Sequence, residues 1–269
     1  MSTNDLELLQ SAAKQAGALS MQWFGRPAKV WDKGDNHPVT EADLAVDELL
    51  HKILREARPE YGWLSEETID DQSRLNSKRV FVVDPIDGTR AFMQGKPHFC
   101  TSIAIVEDGR PIVGAVFNPA FDEMYLAAKG QGAKLNDKPI QASSRAALED
   151  CSMLAPEGLF RHKGWAETWP QMQCATRNSM AYRMVLVAGG GWDATLTLKP
   201  KSDWDLAAAD LIAGEAGAVV SDPMGQKFLY NLDTTTNSGV ICAGKPIHAL
   251  IRRRIEQSQK ETDHHEPKE

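Results

Sequence analysis

Apolar residues recur at helical spacing along residues 4–23, where Leu6, Leu9, Ala13 and Ala16 share one face and Gly25-Arg26-Pro27 closes the segment. The spacing returns at Val46, Leu49, Leu50, Ile53 and Leu54, behind Thr40, whose hydroxyl can cap a helix running to Arg58-Pro59. Both helices are expected on one face of a sheet. The polar stretch WDKGDNHP between them reads as a mobile connection.

From residue 80 the pattern changes to short runs rich in Val, Ile, Phe and Thr. VFVV, FCTSIAIVE, IVGAVFNP and EMYLAA are separated by turn residues such as EDGRP, which predicts a largely antiparallel sheet. KGQGAKLNDKPI continues as hairpin-like turns, RAALED looks helical, and Ser152 to Ala155 begins a second group of strands. The last third alternates strand and helix. A helix is expected from Ser179 to about Ala188, a strand in WDATLTL, a helix from about Trp204 to Ala216 closed by Gly217, and a strand in AVVSD. After about Gln257 the apolar positions cease, so SQKETDHHEPKE reads as a frayed tail, and His264-His265 as part of it rather than a metal tract. This divides the chain into an N-terminal lobe, 1–145, a C-terminal lobe, 146–257, and a tail, 258–269, with the lobes forming one compact unit.

Composition narrows the function. The 269 residues are 42% hydrophobic and 25% charged, an ordinary globular balance, and the net charge of -7 argues against a nucleic-acid scaffold, which needs a basic face. Small phosphates stay open as ligands, because a bound divalent cation inverts the local sign. Cys100, Cys151, Cys174 and Cys242 follow no disulfide or zinc spacing and read as reduced thiols. No run approaches the roughly 18 apolar residues of a membrane span, and the N-terminus carries charges within its apolar pattern; a cytoplasmic protein is expected.

The candidate chemistry starts at DPIDGTR, residues 84–90, directly after VFVV. Such residues also make plain solvated turns after strands. Here Pro85 is expected to stop the strand, Gly88-Thr89 can present successive N–H groups to an anion, and carboxylates beside a phosphate cradle repel it unless a cation lies between. The stretch therefore asks for Mg²⁺ and phosphate together. Asp43 in VTEAD, Glu66-Glu67 in WLSEET and Asp205 in SDWDLAAAD lie in similar settings, although Asp43 and Asp205 in first helical turns are also explained by capping. Carboxylates from several segments are what a metal-assisted phosphatase needs, with Asp84 best placed to bridge two ions.

Glu66-Glu67, DPIDGT and WDLAAADLIAGEAGAVV, in that order, together with VTEAD, resemble the inositol monophosphatase family over nearly the whole chain. The resemblance implies an α/β fold of the α+β kind, the layered αβαβα sandwich shared with fructose-1,6-bisphosphatase. It implies a phosphomonoesterase with two or three Mg²⁺ ions per site: Glu66, Asp84 and the Ile86 carbonyl on one, and Asp84, Asp87 and Asp205 on a second. Gly88 and Thr89 amides would grip the phosphate, and a metal-activated water, assisted by Glu66 and by Thr89 paired with Asp43, would attack phosphorus in line. Asp87, Ser179 and Met180 would border the substrate, Met180 either narrowing the pocket or supplying only its backbone amide. Lithium inhibition and a homodimer are further expectations. The haloacid dehalogenase type, with its DxDGT motif, is disfavoured because the acids here are three residues apart across a proline.

The sequence departs from the family at one point. Members that prefer inositol phosphates carry an acid in the strand before the Trp-Asp motif, and Thr195-Leu196-Thr197-Leu198-Lys199 has none. Lys199 and Lys201 instead offer cations for a second phosphate or a carboxylate, or simply solvate a loop. The substrate expected is a small phosphate monoester such as inositol monophosphate, with a 3'(2'),5'-bisphosphonucleotide or histidinol phosphate as alternatives. Some bacterial relatives also act in transcription or ribosome-related regulation, which makes a regulatory binding role the alternative of another class.

Overall fold

The computed structural model describes residues 3–26, 29–32 and 38–265, with side chains from Asp5 to Lys260 except that of Asp32. The polar loop through residues 33–37 and the side chains of His264 and His265 lie outside the described residues. Seven helices are described: α1 (Thr3–Ser20), α2 (Glu41–Ala57), α3 (Thr89–Met93), α4 (Glu157–Phe160), α5 (Met180–Ala188), α6 (Asp203–Glu215) and α7 (Lys245–His265).

The larger sheet has seven strands in the order Gly62–Ser65, Arg79–Asp87, Cys100–Glu107, Arg110–Asn118, Glu123–Ala128, Ala133–Leu135 and Lys138–Pro139. Its first pair is parallel and the rest antiparallel. VFVV is apolar at every position because both faces are covered. Phe81 and Val83 face α1 and α2, packing with Leu9, Val46 and Leu50. Val80 and Val82 face α5 and α6, packing with Met184, Leu206 and Ala209. Alternation along one strand thus fills two cores. Gly114 lets α6 lie close on the sheet, since a Cβ there would sit 2.8 Å from the Ala208 carbonyl.

The second sheet, of five strands, runs Gln173–Ala175, Ser152–Leu154, Ala194–Thr197, Val240–Gly244 and Ala218–Ser221, with mixed directions. Its outer face packs against α4 and α7 through Phe160, Ile247, Ile251 and Ile255. The layers are therefore α1/α2, large sheet, α5/α6, small sheet, α4/α7: the αβαβα sandwich expected. All four cysteines are free thiols. Among the described residues no helix is long and apolar enough to cross a membrane.

Three local expectations change. Pro85 does not end its strand, which continues to Asp87 through an irregularity in the ladder. RAALED is not helical: the Ser143 hydroxyl receives the Arg145 amide and donates to Asp193, while Arg145 Nε pairs with Asp193 at 3.1 Å, holding the segment open. Six residues without a cap have too little to offset helix nucleation. The tail after Gln257 is helical as far as His265. Ser258 Oγ accepts the Ala166 amide at 3.0 Å, and Lys260 pairs with Glu256 one turn back. Strand Gly62–Ser65, which leads directly into Glu66, and the closing strand Val240–Gly244 were not anticipated.

Candidate active site

Residues three apart on a regular strand point to opposite faces. Asp84 pairs with Ser102 but Asp87 pairs with Cys100, so one extra residue is accommodated between them. Pro85 fits this bulge because it has no N–H to leave unpaired, and its carbonyl accepts the Thr101 hydroxyl at 2.9 Å. The bulge re-aims Asp87 to the side of Asp84. With Asp205, from the first turn of α6, these two carboxylates each bring an oxygen within 4.8 Å of the others. Glu66 joins from the adjacent parallel strand, where Ser65 aligns with Val83 and the Glu66 amide donates to the Val83 carbonyl at 3.2 Å.

The cluster is electrostatically strained without a cation. Asp84 is 1% exposed, and neither of its oxygens has a hydrogen-bond partner. Burial, reinforced by Glu66, Asp87 and Asp205, pushes its carboxyl well above the usual carboxylate range. Asp87 is pushed up to about 7 by burial and by Asp205, despite hydrogen bonds from Ser179 and the Ala181 amide. A buried carboxylate with both oxygens orphaned among further acids is the donor set of a hard divalent cation.

Around the cluster the expected residues divide by what they touch. Asp43 caps α2 as foreseen: one of its oxygens receives the Thr40 amide and hydroxyl, and its other lies 3.1 Å from Thr89 Oγ1. The Thr89 hydroxyl also lies 3.1 Å from the Ile86 carbonyl, so its single proton is shared between two acceptors. Gly88, at φ 97°, turns the chain into α3. Ser179, the N-cap of α5, donates to Asp87 Oδ2 at 2.6 Å, and the Ala181 amide donates to the same oxygen at 2.7 Å. The start of α5 thus grips Asp87. Of the two roles expected of Met180, its side chain, 1% exposed and packed into the core, leaves the second, a backbone amide alone.

The two lysines separate. Lys199 is exposed, and among the described residues it makes no ion pair. Lys201 Nζ lies 3.4 Å from Asp205 Oδ2, which also accepts the Ser202 amide. Two neighbours escaped the sequence reading. Arg183, one turn after Ser179, donates its Nε to the Arg177 carbonyl; burial lowers its pKa while Asp87 works to raise it. Cys100 Sγ is 3.3 Å from Ser179 Oγ, and its thiol is pushed up by burial and by Asp87. The i,i+4 spacing of Ser179 and Arg183 on one helix face is the signal that could have found the arginine.

Residues 2–260 match the Inositol monophosphatase family. "Inositol monophosphatase 2" of Solanum lycopersicum is 33% identical over 229 residues, covering 81% of this chain and 86% of its own. "Histidinol-phosphatase" of Chlorobaculum parvum is 32% identical over 250 residues, covering 85% and 90%. Among solved structures, the Thermotoga maritima IMPase superposes with a TM-score of 0.83 at 28% identity, over 96% of this chain and 99% of that one.

Proposed function

From the membership of this chain in the inositol monophosphatase family, and hence from its being a metal-dependent phosphatase of small phosphate substrates, we propose that it is a Mg²⁺-dependent phosphomonoesterase in which water attacks phosphorus directly. The observation that carries this reading is Asp84, buried with both oxygens unpartnered at the centre of an acidic cluster. Glu66, Asp84 and the Ile86 carbonyl would hold one ion, and Asp84, Asp87 and Asp205 another. Bound there, Mg²⁺ supplies positive charge against the phosphoryl oxygens and acidifies the attacking water.

The chain's own groups do the rest. Backbone amides of Gly88 and Thr89, at the turn into α3, orient the phosphate. Thr89 would take a proton from the water while passing its own hydroxyl proton to Asp43, 3.1 Å away, so that the proton ends on the Asp43 carboxylate; the Glu66 carboxylate shares the task of accepting it. Ser179 and the Ala181 amide hold one oxygen of Asp87, which fixes where the other points. An aspartyl nucleophile is not required, and no covalent phosphoenzyme should accumulate.

Inositol monophosphate is the substrate proposed. A second reading, a substrate with an additional anionic group such as a 3',5'-bisphosphonucleotide, is favoured by Lys201 beside the cluster and by the absence of an acid in residues 195–199. Turnover of inositol 1-phosphate, adenosine 3',5'-bisphosphate and histidinol phosphate, before and after exhaustive chelation, tests both. Chelation should abolish hydrolysis of whichever substrate is used and Mg²⁺ should restore it; undiminished turnover of the stripped protein would overturn the reading. The pH sign follows from Asp87: with its pKa at about 7 in the metal-free protein, a cation must displace protons there. The rise in Tm that Mg²⁺ produces should therefore grow from pH 6 to pH 8.

Thr89→Val removes the hydroxyl while keeping the shape. If Thr89 and Asp43 together take the water's proton, kcat falls about 10²–10³-fold with KM little changed, whereas Thr89→Ser retains most activity. Near-normal kcat in the valine variant would confine Thr89 to its amide.

A further inference from the structure

Asp205 Oδ2 has two partners, the Ser202 amide at 3.0 Å and Lys201 Nζ at 3.4 Å. The amide is part of the helix start and stays. The lysine is a charge on a flexible stem. Among the described residues, no other lysine or arginine lies within ion-pair distance of Asp84, Asp87 or Asp205. The four-acid cluster thus already holds one internal cation, at a carboxylate proposed as a metal ligand.

The backbone around this lysine is fixed from both sides. Lys201 and Ser202 pair with Asn237 and Thr236, the Asp203 amide donates to the Thr235 carbonyl, and Asp203 receives the Asn231 amide and the Asn237 side chain. Lys201 therefore cannot leave Asp205 by a shift of the chain. Its side chain, 27% exposed, can swing away with the backbone unmoved.

We propose that Lys201 is the resident counter-ion of Asp205 and competes with the divalent cation for that carboxylate, so that filling the site requires the lysine to be displaced. The inference rests on reading the acidic cluster as the metal site. It concerns loading of the site rather than the chemical step. The lysine relieves part of the repulsion among buried acids while no metal is bound, and weakens metal affinity in return. Once displaced, its ammonium lies at the rim of the cluster, available to an anionic group of the substrate.

The test is Mg²⁺ binding by calorimetry and by Tm shift, without substrate, in the wild type, Lys201→Met, Lys201→Gln and Lys201→Arg. Losing a largely buried ion pair and its charge should tighten Mg²⁺ binding by about threefold to tenfold in the methionine and glutamine variants. The arginine variant, which keeps the charge, should stay within about twofold of wild type. The gap should narrow as salt screens the pair. A lysine that merely supports the start of α6 would give the opposite sign, because its loss would weaken binding. Equal or weaker affinity in both neutral variants, with wild type binding normally, overturns the role of Lys201. No binding by the wild type would instead overturn the metal reading itself.

Discussion

Asp84→Asn should lower turnover by at least about 10³-fold, since the carboxylate proposed to bridge two cations supplies charge that an amide cannot. It should also make the metal-free protein more stable at pH 8. The sign follows from linkage. Burial, with Glu66, Asp87 and Asp205, raises the Asp84 pKa in the folded state above its unfolded value. Between those two values the folded chain binds more protons than the unfolded chain, so the wild type loses stability as pH rises through that window. Asparagine resembles the protonated acid and does not titrate. The metal-free variant should therefore melt on the order of 2–6 °C above the metal-free wild type at pH 8, with the gap closing toward pH 5. Saturating Mg²⁺ should reverse the order. Melting scans at both pH values, with chelator and with Mg²⁺, measure all of this. A variant that stays active, or that is destabilised without metal at pH 8, would show that Asp84 is held by something other than a cation.

Much of the site was legible because its chemistry dictates residue type within short contiguous stretches. DPIDGT places two acids, a turn glycine and a hydroxyl within six residues, and no fold other than one that brings them together makes use of all four. Asp43 and Asp205 could be assigned to first helical turns from Thr40 and from the apolar run after Trp204, and both do cap their helices. The large sheet was legible as apolar runs, the small one only in part, since its interior strand Val240–Gly244 was not anticipated. The bulge at Pro85 was not, because a proline after a strand signals a stop unless a neighbouring strand is known to skip a residue opposite it. RAALED failed for a related reason: its helical composition is outweighed by Asp193, more than forty residues away, which no local pattern announces. Lys199 and Lys201 look equivalent in sequence, yet only Lys201 is fixed by strand pairing one turn before Asp205. Arg183 is silent for the opposite reason, since an arginine on a helix is expected to face solvent.

Gly88→Ala should cost both stability and catalysis, and more than an exposed glycine would. Gly88 has φ 97°, a backbone region that a residue with a Cβ enters at a cost of about 1–2 kcal/mol. The added Cβ would also lie 2.8 Å from the His98 carbonyl oxygen and 3.2 Å from the Ser179 Cβ and amide nitrogen. Two of those three atoms are backbone and cannot rotate aside, so the turn itself must move. It has little freedom to do so. Asp87 on one side is held by Ser179 and the Ala181 amide, and Thr89 on the other side meets Asp43 and the Ile86 carbonyl. Any shift that relieves the clash with Ser179 therefore loosens Asp87, and any shift toward α3 separates Thr89 from Asp43. We expect a loss of about 2–4 kcal/mol in stability, or roughly 5–15 °C in Tm. Measured well below that Tm, kcat should fall by at least about 10²-fold, because misplacing reacting groups by an ångström is enough to do so. Mg²⁺ should bind more weakly through Asp87. A variant that melts within a degree of wild type and turns over within a few-fold of it would mean that the turn is not close-packed against α5, and that the grip of Ser179 on Asp87 does not position the cluster.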